Sequence, residues 1–230
     1  MVGGVYFPNE AHVEPLQAVR LLIEKACSFG AQIRPQTEVF DFVLNGSKIV
    51  GLRTTRGLIE ADQYVLATGT WSRRLGQQLR LRIPVMGGKG YAAIVEPFTP
   101  KPRIPMMLVE RKIAVTPRRD SVRLAGTLEL VEGGLDISPR RLDAILNGSR
   151  KYLAVPENVP YSEAWAGLRP CTPDGVPVIG RPGRFQNLTV ATGHQMLGLQ
   201  SAPGTGRLVA DIVLDRKPTF DPAPFNPDRF

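Results

Sequence analysis

Apolar residues recur at helical spacing after Pro15: Leu16, Val19, Leu22, Ile23 and Ala26 fall on one side of a 3.6-residue turn. Pro15 suits the first helical position, where a missing N–H costs nothing, and Gly30 supplies the stop. Residues 1–13 read as extended or irregular. Past Gly30 the period changes to two. Strands are expected at 31–35, 37–44, 48–54 and 58–61, with Asn45-Gly46 as a hairpin turn and Arg56-Gly57 as a second reversal. The run at 64–68 is continuous rather than alternating, the pattern of a parallel strand covered on both faces. It ends at Ala67-Thr68-Gly69, and Thr70 or Ser72 can cap a short helix beyond it.

From about residue 81 the chain becomes richer in Pro and Gly, with β-type segments at 85–95, 106–110, 113–116 and 122–130. The Pro-rich stretch 97–105 cannot lie inside a sheet. Ser138-Pro139 forms an N-cap and first-position pair for a helix through about 153, with Leu142, Ile145 and Leu146 on one face. This pattern predicts mixed α/β architecture with two domains. Residues 1–80 and 166–230 form one, and 81–165, a mixed sheet with one helix, is inserted into it. Strands 64–68 and 188–192 are expected side by side in one sheet, and the Pro-containing tail 221–230 is expected to be loose.

The remaining stretch, 165–206, carries the candidate chemistry. Arg169 stands between a Trp-Ala-Gly-Leu lead-in and a proline, and Pro173-Asp174-Gly175 reverses the chain. Strand 188–192 ends at Gly193-His194 and crosses a loop, and a helix is expected from Gly204-Thr205-Gly206. A strand ending in glycine before a helix start suits close backbone approach to a large planar or anionic ligand. A packed strand, loop and helix with ordinary turn residues accounts for the same pattern.

Composition narrows the classes. Apolar residues make up 43% and charged residues 22%, which places the chain with globular proteins. No apolar run approaches the roughly 20 residues that span a bilayer, and the first residues have neither the basic nor the apolar region of a signal peptide. Two cysteines without a spacing motif read as reduced thiols, pointing to a cytoplasmic protein, membrane-peripheral at most. No Cys/His cluster points to a metal. The net charge of +8 comes from scattered basic residues without a stripe or interleaved aromatics, so nucleic acid is not the expected partner. A positive field favours an anionic cofactor and carboxylate substrates. His12, just before the first helix, reads as a surface or helix-entry residue.

The motif WAGLRPCTPDGVPVIG, followed by ATGH and APGTG, resembles the C-terminal signature of the FAD-dependent D-amino-acid oxidase family. That family includes glycine and sarcosine oxidases and the bacterial D-amino-acid dehydrogenases. FPNEAHVEP, YVLATGTWS, GKGYAAIVEP and the terminal DRF match as well, and GKGY and KIAVT resemble the dehydrogenase branch most. The similarity covers nearly all of the chain. Family members open with a strand, a G-x-G-x-x-G turn and a helix, and no G-x-G-x-x-G occurs here. The resemblance therefore implies the later part of such an enzyme, with an incomplete Rossmann-like FAD domain and an N-terminal segment missing. Weak or no FAD binding is expected of this chain alone. A non-catalytic module that keeps the fold without the flavin is the alternative.

The resemblance also implies roles. Hydride transfer from the α-carbon of a D-amino acid or related amine to the flavin needs a carboxylate anchor, and the family's arginine at the Arg169 position provides it. A guanidinium makes two parallel bonds to a carboxylate where lysine cannot, although an isolated arginine also suits an ordinary salt bridge. Flavin contacts are implied at Ala67, Thr68 and Gly69, and along Gly193, His194, Gln195, Met196, Leu197, Gly198, Leu199 and Gln200, chiefly through backbone N–H groups. The backbone at Val39 is implied to contact adenine, and Trp71 matches a common aromatic that core packing would equally explain. No side-chain base is required, since a free amine can lose its proton to solvent. Where the glycine oxidase branch has a carboxylate-gripping tyrosine, Ile113 aligns here, leaving Tyr91 and Lys112 as candidates for a second contact. Oxygen or a quinone would accept the electrons.

Overall fold

A computed structural model describes residues 3–230. In chain order it contains α1 (Pro15–Ser28), β1 (Val39–Asn45), β2 (Lys48–Thr54), β3 (Gly57–Ile59), β4 (Tyr64–Leu66), α2 (Ser72–Gln78), β5 (Met86–Val95), β6 (Met106–Leu108), β7 (Ile113–Pro117), β8 (Val122–Val131), α3 (Pro139–Arg150), β9 (Tyr161–Cys171), β10 (Val178–Gly180), β11 (Leu188–Thr192) and α4 (Gly198–Val213). The chain divides into two compact units. One comprises the residues through Ala18 together with Gly88–Leu168, and the other Val19–Gly87 with Arg169–Phe230.

The first unit is a five-stranded sheet, ordered β6-β7-β8-β5-β9. The stripe Leu142, Ile145 and Leu146 of α3 is buried against Ile113, Val115, Val122 and Leu124 of the sheet, with Tyr91, Ala93 and Val95 of β5 in the same core. Gly148 lets helix and strand approach closely, because a Cβ there would lie 2.6 Å from Cδ1 of Ile113. In this unit Arg118 forks onto both carboxylate oxygens of Glu14, at 3.1 and 2.9 Å, and thereby ties the start of α1. Residues up to Ala18 accordingly group with Gly88–Leu168 rather than with the stretch up to residue 80.

The second unit holds two small sheets. β1, β2 and β3 form an antiparallel meander whose two-residue loop places Gly46 at φ 59°, a conformation glycine adopts without strain. The other sheet is ordered β10-β11-β4, and β11 runs parallel to β4 with Leu188 opposite Tyr64 and Val190 opposite Leu66. A buried amide joins the two sheets. Asn187 accepts from the Ile49 N–H at 3.0 Å and donates to the Ile49 and Asp62 carbonyls at 2.8 and 3.1 Å. The core contains Ile49, Tyr64, Leu66, Leu75, Leu79, Val178, Leu188 and Val190.

Four expectations fail here, each for a local reason. Residues 31–35 are exposed and form no strand, because no described strand runs beside them. Helix α4 begins at Gly198, not Gly204, and takes Pro203 into its second turn. Pro203 removes the one N–H that would pair with the Leu199 carbonyl, a single bond near the start of a 16-residue helix. Trp71 is 61% exposed and is no core residue. The tail is anchored: Asn226 caps the N–H of Asp228, Asp228 accepts from the Gly183 N–H at 2.7 Å, and Arg229 binds Asp174.

Candidate active site

Parallel strands leave their carbonyl ends open to ligands where neighbouring connections diverge. In the second unit β4 and β11 end together, and Thr192 fastens the two exits by donating to the Gly69 carbonyl at 2.9 Å. Gly193 turns the chain with φ 83°, and a Cβ there would sit 2.6 Å from Cγ2 of Thr172, so conformation and space both demand glycine. The next residues are laced to the end of β9. His194 forms a bridge with Cys171, and the Gln195 N–H donates to the Pro170 carbonyl at 3.0 Å. Arg169 therefore lies one residue from the loop that follows β11.

Arg169 is half-buried, and its Nη1 is fully buried without a hydrogen-bond partner among the described residues. A buried donor left unmade costs about 1–3 kcal/mol, more when charged. Among the described residues no salt bridge holds this side chain. An orphaned guanidinium nitrogen beside an open strand end fits an absent anionic group.

Beyond the loop, α4 presents its N-terminus. Its N-cap, Leu197, offers no side-chain acceptor and its first turn has no acidic residue, so the N–H groups of Gly198, Leu199 and Gln200 have no capping side chain. The loop before it is apolar and bare, with Met196 70% exposed. An uncapped positive helix end beside exposed apolar side chains fits a flat ligand with an electron-rich edge, as a flavin is. His194 is half-buried, with Nε2 2.9 Å from Oγ1 of Thr205, and burial pulls its pKa below the usual histidine value. The ring is engaged with Thr205, and burial disfavours its charged form.

The turn after Arg169 is held from the tail. Arg229 binds Asp174 at 2.8 Å and donates to the Val176 carbonyl at 2.7 Å. Arg229 above all lowers the Asp174 carboxyl to about 2. Neither the aspartate inside a Pro-Asp-Gly turn nor an arginine in the tail gives a sequence signal for this clamp, and Asn187 gives none for the bridge between sheets. Both pair residues far apart in the chain.

The structure thus brings together Arg169, Gly69 and the stretch from Gly193 to Gln200, with Ala67 and Thr68 leading out of β4. Gly198, Leu199 and Gln200 belong to the first turn of α4 rather than to a loop. Val39 is elsewhere, opening β1 in the meander. In the first unit Tyr91 is buried and donates to Oε2 of Glu129 at 3.2 Å, while Lys112 is exposed and left-handed with φ 54°. Lys89 lies 3.8 Å from the same Glu129, and its pKa is raised, chiefly by its hydrogen bond with Tyr91. The Tyr91 hydroxyl is therefore already committed. Ile113 faces the core under α3, so that position points away from any ligand on the opposite side of the sheet. Among the described residues no group of acidic, His or Cys side chains could hold a metal, and no helix is long and apolar enough to cross a membrane.

These features define a nucleotide-cofactor fold with an arginine at the strand ends, and the comparisons with known proteins give its family. Residues 1–212 match the model of the DAO family, FAD dependent oxidoreductases, and the chain belongs to that family. A D-amino acid dehydrogenase of Granulibacter bethesdensis is 36% identical over 97% of the chain and 54% of its own length. A glycine oxidase of Pseudomonas aeruginosa is 34% identical over 97% of the chain and 62% of its own length. The structure of a glycine oxidase from Geobacillus kaustophilus superposes with a TM-score of 0.84 at 30% identity, over 92% of this chain and 57% of that one. The chain spans little more than half the length of the relatives it matches.

Proposed function

We propose that this chain supplies the substrate-anchoring and flavin-facing part of an FAD-dependent oxidoreductase that oxidises D-amino acids or related amines. The orphaned, buried Nη1 of Arg169 at the strand ends carries the reading. The family assignment and the names of the relatives support the reaction class.

In this reading Arg169 grips the substrate carboxylate with two parallel bonds and so fixes the α-carbon relative to the cofactor. A bound flavin would supply the hydride acceptor for the α-carbon, and the amine proton would leave to solvent as the imino acid forms. The uncapped first turn of α4 and the backbone after Gly193 place N–H dipoles where negative charge develops, with no side chain that titrates. His194, bonded to Thr205, positions that loop. The backbone at Val39 is assigned to the adenine end. The unit containing Gly88–Leu168 is assigned as the substrate domain, and Val19–Gly87 with Arg169–Phe230 as the cofactor domain. The dehydrogenase-like motifs favour a quinone or dye over oxygen as acceptor.

The experiment is steady-state dye reduction with a panel of D-amino acids, using the chain fused to a nucleotide-binding segment so that it retains flavin. A charge-assisted bond is worth on the order of 1.5–3 kcal/mol. Arg169→Lys should lose about tenfold in kcat/KM and Arg169→Ala up to roughly 150-fold, mainly through KM, with unchanged flavin spectra. Near-normal kcat/KM in Arg169→Ala would refute the carboxylate role.

A further inference from the structure

Strand β7 of the first unit ends at Pro117, and there the Pro-rich stretch after β5 and the chain before α1 border a cleft of about 610 Å³. Its walls include Pro100, Pro102 and Pro117, and its polar groups come from His12, Lys101, Arg103 and Arg118. Prolines carry no N–H, so at those three walls the backbone donates nothing and the rings present apolar faces. The donors that reach the cleft belong to side chains, and those of the lysine and the two arginines are cationic. Among the described residues no acidic side chain lines it. The cleft shares no residue with the candidate active site, and its occupancy depends neither on Arg169 nor on flavin.

Two of the cations are fixed in place by the protein itself. Lys101, half-buried, gives two of its three ammonium donors to the carbonyls of Arg118 and Arg119, at 2.6 and 2.7 Å, and keeps one. Arg118 commits Nε and Nη2 to Glu14, which leaves Nη1. Arg103 is exposed and reaches the same cleft. Like charges gathered around one concavity raise the local concentration of anions. We propose that this cleft binds a small phosphomonoester, with the phosphate among Lys101, Arg103 and Arg118 and the organic body against the proline rings. A carboxylate suits the cleft less well. Its planar pair of oxygens is best met by a guanidinium fork, and Glu14 already occupies that of Arg118. Single N–H groups converging from separate cations instead match a dianion with three acceptor oxygens. The volume is that of a small-molecule site, with room for more than a bare phosphate.

The test is titration calorimetry on the full 230-residue chain at matched ionic strength, with glucose 6-phosphate, inorganic phosphate, gluconate and glucose as probes. Glucose 6-phosphate should bind one-to-one and saturably, inorganic phosphate and gluconate each at least about tenfold more weakly, and glucose not at all. Lys101→Met should weaken the phosphate ester at least about tenfold. Arg103→Ala alters an exposed side chain and so leaves the fold intact, and it should weaken the ester at least about fivefold. Arg216→Ala, an exposed arginine of the second unit, should change nothing. Four results would each overturn the assignment: no saturable binding of glucose 6-phosphate, equal affinity for gluconate, equal affinity for inorganic phosphate, or a glucose 6-phosphate affinity indifferent to Arg103→Ala.

Discussion

Helices α1 and α3 carry similar apolar stripes and have opposite fates. The stripe of α3 is buried against the five-stranded sheet, and Ile145 has no exposed surface. Among the described residues the stripe of α1 meets no side chain that buries it. The periodicity of a helix thus says that a face needs covering, while the cover itself comes from elsewhere in the fold. The first unit contains both helix and cover. The second brings the ends of β4 and β11 together, but among the described residues it has neither a second neighbour for β4 nor a layer over α1.

The sharpest way to break this contrast is to truncate both stripes. Ile145→Ala should cost about 2–5 kcal/mol by denaturant unfolding, because it leaves a cavity under α3, while Leu22→Ala should cost less than about 0.5. Equal losses would show that α1 is packed after all. Within the second unit, Gly193→Ala combines a left-handed backbone with a 2.6 Å clash, and about 3 kcal/mol is expected. Slowed hydrogen exchange at Thr192 and Gln195 in that variant would contradict the geometry. Arg229→Ala should cost about 1 kcal/mol, discounted because Asp174 is partly exposed. The Asp174 carboxyl should then titrate above its value of about 2, read by NMR. A carboxylate with a lowered folded-state pKa contributes stability above its unfolded value, so the wild-type contribution fades as pH falls from 3.8 toward about 2. The smallest effect belongs to His194. Its folded-state pKa lies below 6.5, so the unfolded chain takes up the proton first and stability falls as pH drops through 6.5. His194→Gln should flatten that part of the pH profile.

Much of this was legible in the sequence. Period-three-and-four stripes located α1 and α3, the Asn-Gly signal located the β1–β2 hairpin, and the continuous runs located the parallel pair β4 and β11. The motif around Arg169 and the glycine after β11 pointed to the candidate site. Segment 31–35 misled because alternation signals a strand without saying whether a neighbour is present to pair it. Pro203 misled because a proline and two glycines read as a break, whereas the first turns of a helix tolerate them. Asn187 and Arg229 were invisible for another reason: their partners lie more than fifty positions away, and a lone polar residue reveals nothing about which backbone it satisfies.

Pro203 also sets the rhythm of the ligand-facing turn. Without an N–H at that position the Leu199 carbonyl receives no bond from the next turn, and the residues before it are secured locally by the Ser201 N–H and hydroxyl on the Leu197 carbonyl at 2.9 and 2.8 Å. Gly198 through Gln200 can therefore fray and re-form without melting the long apolar body of α4 that packs on β10 and β11. Association of an anion with those N–H groups would quench this motion, so its thermodynamic signature should be a favourable enthalpy opposed by lost entropy. Replacing Pro203 with alanine would stiffen the turn in advance and move that balance toward a smaller entropic penalty.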